Sequence, residues 1–374
     1  MNKLKPNLIF VLLDGARWDR LDISNEFSDL KKQGSLFNNI TTSAPYTFAS
    51  MNAIFTGLHG KENGVDSYYK MFQLKNSVNF LPELLKKNGY FTSCDLITEK
   101  VISSRGFDNY QSHDEYKDDL TITHPKFIKK CFEESKGEPT FIFLQFSRIH
   151  TVTVSEVLKK YNWDDKIFYE NKNENLKKYD EVFSEACRYA KIIKETIEEI
   201  NQHENTIIIF FTDHGTGIGE RFGERNYGMY LYEETVRTIY LFMGLGIPKN
   251  FKSDILLSTI DIFPTILDLC NINLEEKLPG TSFSSILKNN SIDFNKEKFS
   301  FSATGGLHGY YPSPEEPNVF SIKTTEYKLI YFKTPNKWEL FNLKDDPLET
   351  ENLHGKNLEI ENTLKKELLD WINR

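Results

Sequence analysis

Asp14, Asp213, His214 and Thr47 are the residues of this sequence whose types could hold a divalent cation beside a nucleophile. Carboxylates and an imidazole are donors that Mn²⁺ and Zn²⁺ accept, and a hydroxyl next to such an ion loses its proton more readily than in water. Asp14 follows the apolar run 7–13, and Asp213-His214 follows the apolar run 206–212. By itself Asp14 reads first as a turn or N-cap residue. Asp213-His214 is harder to read that way, because an acid beside an imidazole at the end of a buried run serves no obvious packing purpose. Thr47 opens an apolar helical patch that ends at Gly57. It is either a helix cap or a hydroxyl presented at a helix N-terminus.

The elements that must position these groups alternate along the chain. Runs 7–13, 141–146 and 206–212 are continuous and apolar, as expected of strands buried on both faces. Residues 80–88 and 179–201 carry helical patterns. The alternation implies an α/β fold with a mostly parallel sheet flanked by helices, and such sheets bind ligands beyond the carboxyl ends of their strands. After about residue 289 the pattern changes. Runs 320–324, 327–332 and 338–342 are short and rich in Tyr and Phe, which suggests an antiparallel meander, and 357–371 reads as a closing amphipathic helix. The expected organisation is a catalytic α/β domain over 1–292 and a smaller C-terminal α+β subdomain over 293–374.

The 374 residues carry a net charge of -8, with no long Lys/Arg stripe, which argues against a nucleic-acid partner. Four scattered cysteines without a CxxC pair fit a reducing compartment. No stretch reaches the roughly 20 apolar residues of a membrane helix, and the run after Pro6 is too short for a signal peptide. The expected location is cytoplasmic.

The order of motifs resembles the sulfatase-like branch of the alkaline phosphatase superfamily. Asn7-Leu-Ile-Phe-Val-Leu-Leu-Asp14-Gly-Ala-Arg17 is similar to its opening strand and metal-binding Asp, and Pro45 through Thr56-Gly57 to its nucleophile segment. Gly89-Tyr90, Gly106-Phe107-Asp108, Thr212-Asp213-His214-Gly215, Gly219-Glu220, Asp261-Ile-Phe-Pro264, Pro279-Gly280 and Glu326-Tyr327-Lys328-Leu329 follow in the family's order. The resemblance implies a metal-dependent hydrolase or transferase.

Several positions depart from the pattern. Sulfatases carry a Cys or Ser, oxidised to formylglycine, within Cys/Ser-x-Pro-x-Arg. Counting back from Thr56-Gly57 puts Thr47 at that position and Met51 at the Arg position, whereas a competing register through Ser43-Ala-Pro45 lies four residues too far away. The expected Lys is Ile97, and the second of two adjacent Asp ligands is Gly15. Arg221 and Tyr227 stand where two-metal members carry His. One divalent metal is therefore expected on Asp14, Thr47, Asp213 and His214, with Mn²⁺ or Zn²⁺ favoured and Ca²⁺ or Mg²⁺ possible.

Threonine is not a formylglycine precursor, so the residue type points to phosphate esters, with Thr47 as the covalent nucleophile of a phosphoester hydrolase or phospho-group transferase. Sulfate-ester hydrolysis on a glycan or small ester is the alternative, and an inactive binding or scaffold protein is a third reading. His150 is expected to protonate a leaving group or orient an acceptor. Asn52, Arg221 and His308 are expected on the substrate, with specificity in 113–180 and 305–317.

Overall fold

Three apolar strands form the centre of the molecule in the computed structural model, which describes residues 5–152, 162–289 and 299–374. β1 (Asn7–Leu13) lies between β5 (Thr140–Phe146) and β6 (Thr206–Phe211), parallel to both, with Leu8 opposite Phe141 on one side and Ile207 on the other. β2 (Gly34–Thr41), β3 (Phe91–Leu96), β4 (Asn109–Ser112), β7 (Arg237–Gly244), β8 (Phe251–Ser253) and β9 (Leu257–Ser258) complete a nine-stranded sheet. Its order is β4-β3-β5-β1-β6-β7-β2-β8, with β9 also on β2. Only β7 runs antiparallel to its neighbours β6 and β2, so the sheet is mixed but mostly parallel.

Alternation along β1 divides the core between the two faces of the sheet. Leu8, Phe10 and Leu12 join one cluster with Phe55, Phe141, Phe143 and Phe211, while Ile9, Val11 and Leu13 join another with Phe183, Tyr189 and Ile193. Phe10 meets Phe141 and Phe211 edge-on, at centroid distances of 5.2 and 5.8 Å. The first face is covered by the helix Thr47–Thr56 and its neighbours. The second is covered by the helices Leu120–Glu134 and Lys172–Glu199. Burying each such aromatic side chain contributes about 2–3 kcal/mol, enough to hold the strand ends, and the groups they carry, in register.

The C-terminal part is a four-stranded antiparallel sheet of β10 (Ser300–Thr304), β11 (Val319–Lys323), β12 (Tyr327–Phe332) and β13 (Lys337–Asn342) in that order. Leu364 and Leu368 of the helix Glu359–Asn373 pack against Ile322, Leu329 and Leu340 on one face. On the other face, Val319, Ile330 and Phe341 pack against Leu231, Tyr232 and Val236 of the first sheet's connections. Lys323 and Lys328 reach Glu233 at 2.7 and 3.2 Å, and Lys328 reaches Glu349 at 2.9 Å, all four side chains buried.

The meander contains one strand more than the sequence pattern indicated. β10 was missed because its burial alternates with small Ser and Ala residues, which carry little hydrophobic signal. The helix Ser284–Asn289 runs up to the point where the sequence pattern changes and is held by buried Phe283, Ile286 and Leu287. The boundary expected between 292 and 293 lies outside the described residues.

Candidate active site

The carboxyl ends of β1, β5 and β6 converge on one buried group of polar side chains. Asp14 follows β1. Its amide donates to Phe146 O at 2.9 Å, which closes the turn against the end of β5. Asp213 and His214 follow β6. Thr47 is the first residue of the helix Thr47–Thr56, whose Ser50 hydroxyl donates to Asp213 O at 2.8 Å and so locks the helix to the β6 end. Gly57, with φ +68, ends that helix in the left-handed conformation. The first turn has no side-chain cap from Tyr46, which leaves its amides for an anion.

Thr47 Oγ1 lies 3.4 Å from Asp14 Oδ2 and 3.3 Å from His214 Nε2. His214 Nε2 lies 3.5 Å from Asp14 Oδ1 and 3.6 Å from Asp213 Oδ2. His214 Nδ1 donates to Gly215 O at 2.8 Å, which leaves the Nε2 lone pair facing the carboxylates. His150, on the short helix Arg148–Val152 after β5, brings Nε2 to 2.6 Å from Asp14 Oδ1.

The sequence reading missed Gln145, whose Nε2 donates to Asp14 Oδ2 at 2.7 Å. Its place in the apolar run of β5 was the available signal, since a buried strand keeps a Gln only where it has a partner. It also missed how Tyr227 is used. Its ring stacks on His150 and His214, with centroids 4.6 and 4.4 Å away, where a His would have supplied another metal donor.

Electrostatics and geometry both call for a cation here. Burial and the neighbouring Asp14 charge push the Asp213 carboxyl well above its ordinary value. Burial pushes the Asp14 carboxyl up as well, but His150, His214 and Gln145 outweigh it and hold Asp14 below its ordinary value. Asp14 Oδ1 and His150 Nε2 face each other at 2.6 Å, and the buried Asp213 Oδ2 has no hydrogen-bond partner among the described residues. A buried carboxylate oxygen without a partner, beside a second carboxylate, is costly unless a cation sits between them. The donor set of Asp14, Asp213, His150, His214 and Thr47 therefore fits a divalent metal.

Arg17 ties the two ligand-bearing loops together, donating to Thr216 O at 2.9 Å and to Glu220 at 2.6 Å while also pairing with Asp19. Its amide donates to Tyr179 Oη at 2.6 Å.

Of the residues expected on the substrate, His308 lines a small cleft with Tyr227, Trp163 and Tyr68, beside the imidazoles. Asn52 lies within the helix and donates to Phe48 O at 2.7 Å. Arg221 is not brought to the cluster. Its guanidinium pairs with Glu234 at 3.0 Å, donates to the carbonyls of Leu348 and Glu349 and lies over the Tyr232 ring, so its charge is spent on holding the C-terminal part.

The family model described as Sulfatase matches residues 6–272, more than half of the chain. The chain belongs to the sulfatase family. A second model, N-sulphoglucosamine sulphohydrolase, C-terminal, matches residues 224–374. An N-acetylglucosamine-6-O-sulfatase of Bacteroides thetaiotaomicron is 30% identical over 43% of this chain and 28% of its own length. Arylsulfatase K of Mus musculus is 28% identical over 55% of this chain and 37% of its own length. These alignments thus span about a third of the curated relatives. An arylsulfatase of Clostridium perfringens is 22% identical over 99% of this chain and 93% of its own length.

Solved structures of the same fold include a putative sulfatase from Bacteroides thetaiotaomicron, with TM-score 0.82 at 18% identity over 99% of this chain and 92% of that one. A phosphonate monoester hydrolase of Agrobacterium radiobacter has TM-score 0.79 at 15% identity over 98% and 95%. A protein solved in complex with D-glucosamine-2-N,6-O-disulfate has TM-score 0.75 at 16% identity over 98% and 97%.

These matches correct the substrate drawn from Thr47. The family model and the curated relatives are sulfatases, so the phosphoester reading gives way to the sulfate-ester one. The physical reason is that a hydroxyl beside a divalent cation can attack sulfur as well as phosphorus. The residue type alone does not choose between them.

Proposed function

We propose that the chain is a sulfuric ester hydrolase using one divalent metal, with a sulfated sugar as its substrate. The observation that carries this reading is the convergence of Asp14, Asp213, His150 and His214 on Thr47, in a chain of the sulfatase family. The sugar is supported by the names of a curated relative, an N-acetylglucosamine-6-O-sulfatase, and of a structural neighbour bound to a glucosamine disulfate.

The metal would be held by the two carboxylates, the two imidazoles and the Thr47 oxygen. Nitrogen donors favour Mn²⁺ or Zn²⁺ over Ca²⁺. When bound, it supplies positive charge to the sulfate oxygens and lowers the pKa of the threonine hydroxyl. Thr47 Oγ1 attacks sulfur, with Asp14 Oδ2 at 3.4 Å as the acceptor of its proton. The bond from sulfur to the sugar oxygen breaks, and that oxygen leaves as the alcohol with a proton from solvent. Water then attacks the sulfur of the Thr47 sulfate ester, the bond from sulfur to Thr47 Oγ1 breaks, Asp14 returns its proton to that oxygen, and sulfate leaves as the water proton passes to solvent. The uncapped first turn of the helix Thr47–Thr56 favours the anionic group throughout. Gln145 and the backbone carbonyl of Gly215 orient Asp14 and His214. His150 belongs in this reading to the metal donors rather than to the leaving group.

The test is sulfate release from an aryl sulfate and from glucosamine 6-sulfate by protein loaded with Mn²⁺ or Zn²⁺. Turnover that needs both the metal and Thr47 is expected. A folded, metal-loaded protein that releases no sulfate from either ester would overturn the proposal.

A further inference from the structure

A second group of metal-binding side chains is enclosed at the β4 edge of the main sheet. Asp95 is near the end of β3, His113 follows β4, and His124 is in the helix Leu120–Glu134. All three are buried, and their donor atoms lie within 4.8 Å of one another. His113 Nδ1 is 2.8 Å from Asp95 Oδ1, and His124 Nε2 is 3.9 Å from Asp95 Oδ2. Around them, Gln111 Nε2 donates to Asp95 Oδ2 at 2.7 Å, and Tyr189 Oη lies 2.6 Å from His124 Nδ1.

Hydrogen bonding leaves this group incomplete. His124 is fully buried, yet its Nε2 has no hydrogen-bond partner among the described residues, and neither has His113 Nε2. The 3.9 Å between His124 Nε2 and Asp95 Oδ2 is too long for a hydrogen bond. It suits two donors that each sit about 2.0–2.2 Å from a shared ion.

The charges point the same way. Asp95 is a buried carboxylate that lies 2.7 Å from Gln111 Nε2 and 2.8 Å from His113 Nδ1. Among the described residues no Lys or Arg lies within ion-pair distance of it; its partners there are the two histidines. With Nδ1 engaged by Tyr189 Oη, Nε2 is the His124 ring nitrogen left to face Asp95.

We propose that Asp95, His113 and His124 hold a Zn²⁺ ion that acts as a structural tie. Two imidazoles and a carboxylate are a ligand set that Zn²⁺ accepts, and the Gln111 and Tyr189 contacts supply the outer hydrogen bonds that orient such ligands. Tyr189 belongs to the helix Lys172–Glu199, so the ion joins β3, the end of β4 and two helices. β4 needs such a tie. It has four residues, the last two exposed, and lies at the edge of the sheet.

The test counts Zn²⁺ by mass spectrometry in the full chain after loading and desalting. The parent is expected to retain two equivalents. A variant carrying Asp14→Asn and His150→Ala, which disables the first cluster, is expected to retain one. Adding His124→Gln removes that equivalent. Asp95→Asn, close in size and still able to bond with His113, guards against a folding defect, with circular dichroism checked for each protein and Co²⁺ absorption as a second readout. Complete loss of Zn²⁺ in the folded Asp14/His150 variant would overturn the proposal. So would unchanged Zn²⁺ content in both folded His124→Gln and Asp95→Asn proteins, which would leave an Asp95–His113 hydrogen bond only.

Discussion

The His150 ring occupies the space that a side chain at Gly15 would fill: a Cβ on Gly15 would stand 3.1 Å from His150 Cδ2 and 3.4 Å from His150 Nε2. Many sulfatases carry a second Asp at this position. Here that carboxylate is missing and an imidazole from the end of another strand reaches Asp14 instead. The exchange turns an oxygen-rich site into one with two nitrogen donors.

Gly15→Ala should destabilise the protein and weaken metal binding together. Gly15 has φ +80, and the new Cβ would also lie 2.8 Å from Thr216 Oγ1. The left-handed backbone alone costs about 1–2 kcal/mol. Denaturant unfolding and metal titration of the same variant measure both effects, and unchanged values would contradict the packing described.

His150→Ala should lower affinity for Mn²⁺ and Zn²⁺ by at least about 100-fold, through loss of a donor. Combining it with Gly15→Asp should return a carboxylate to the site and move the preference toward Ca²⁺. Competition calorimetry with the three metals checks the reversal.

Gln145→Leu should reduce metal affinity by about 10–100-fold, because Asp14 loses the donor that fixes its orientation. Melting temperature measured without metal should change little by comparison, which separates an orienting role from a packing one.

Thr47→Ala should abolish sulfate release, whereas Thr47→Ser should retain turnover within about tenfold of the parent, since only the hydroxyl is needed. Equal activity in the Ala and Ser variants would remove Thr47 from the chemistry.

Lys328 is the cation shared by Glu233 and Glu349, at 3.2 and 2.9 Å. Lys328→Met should cost about 3–5 kcal/mol, because it leaves two buried carboxylates without their common partner. Burial, opposed by Lys328 and reinforced by Glu233, pushes the Glu349 carboxyl up from 4.5 to about 7. A folded-state value above the unfolded one means that Glu349's contribution is full below about pH 4.5 and is lost as pH rises through about 7. Glu349→Gln should flatten that part of the stability profile in denaturant titrations across this range.

The sequence alone singled out Asp213-His214, an acid and an imidazole at the end of a buried apolar run, whereas Asp14 by itself read as a turn residue and stood out only through the order of motifs. Motif order determined the family, and the Thr56-Gly57 register located Thr47. Tertiary structure decided what no spacing encodes: that His150 enters the room left by Gly15, that Gln145 orients Asp14, and that Arg221 is consumed by Glu234 and two backbone carbonyls. It also brought together Asp95, His113 and His124, three residues of separate segments that show no motif. The physical reason is common to all of these. Strand burial and turn chemistry are local and leave local patterns, whereas the partner of a buried polar atom is chosen by packing between distant segments.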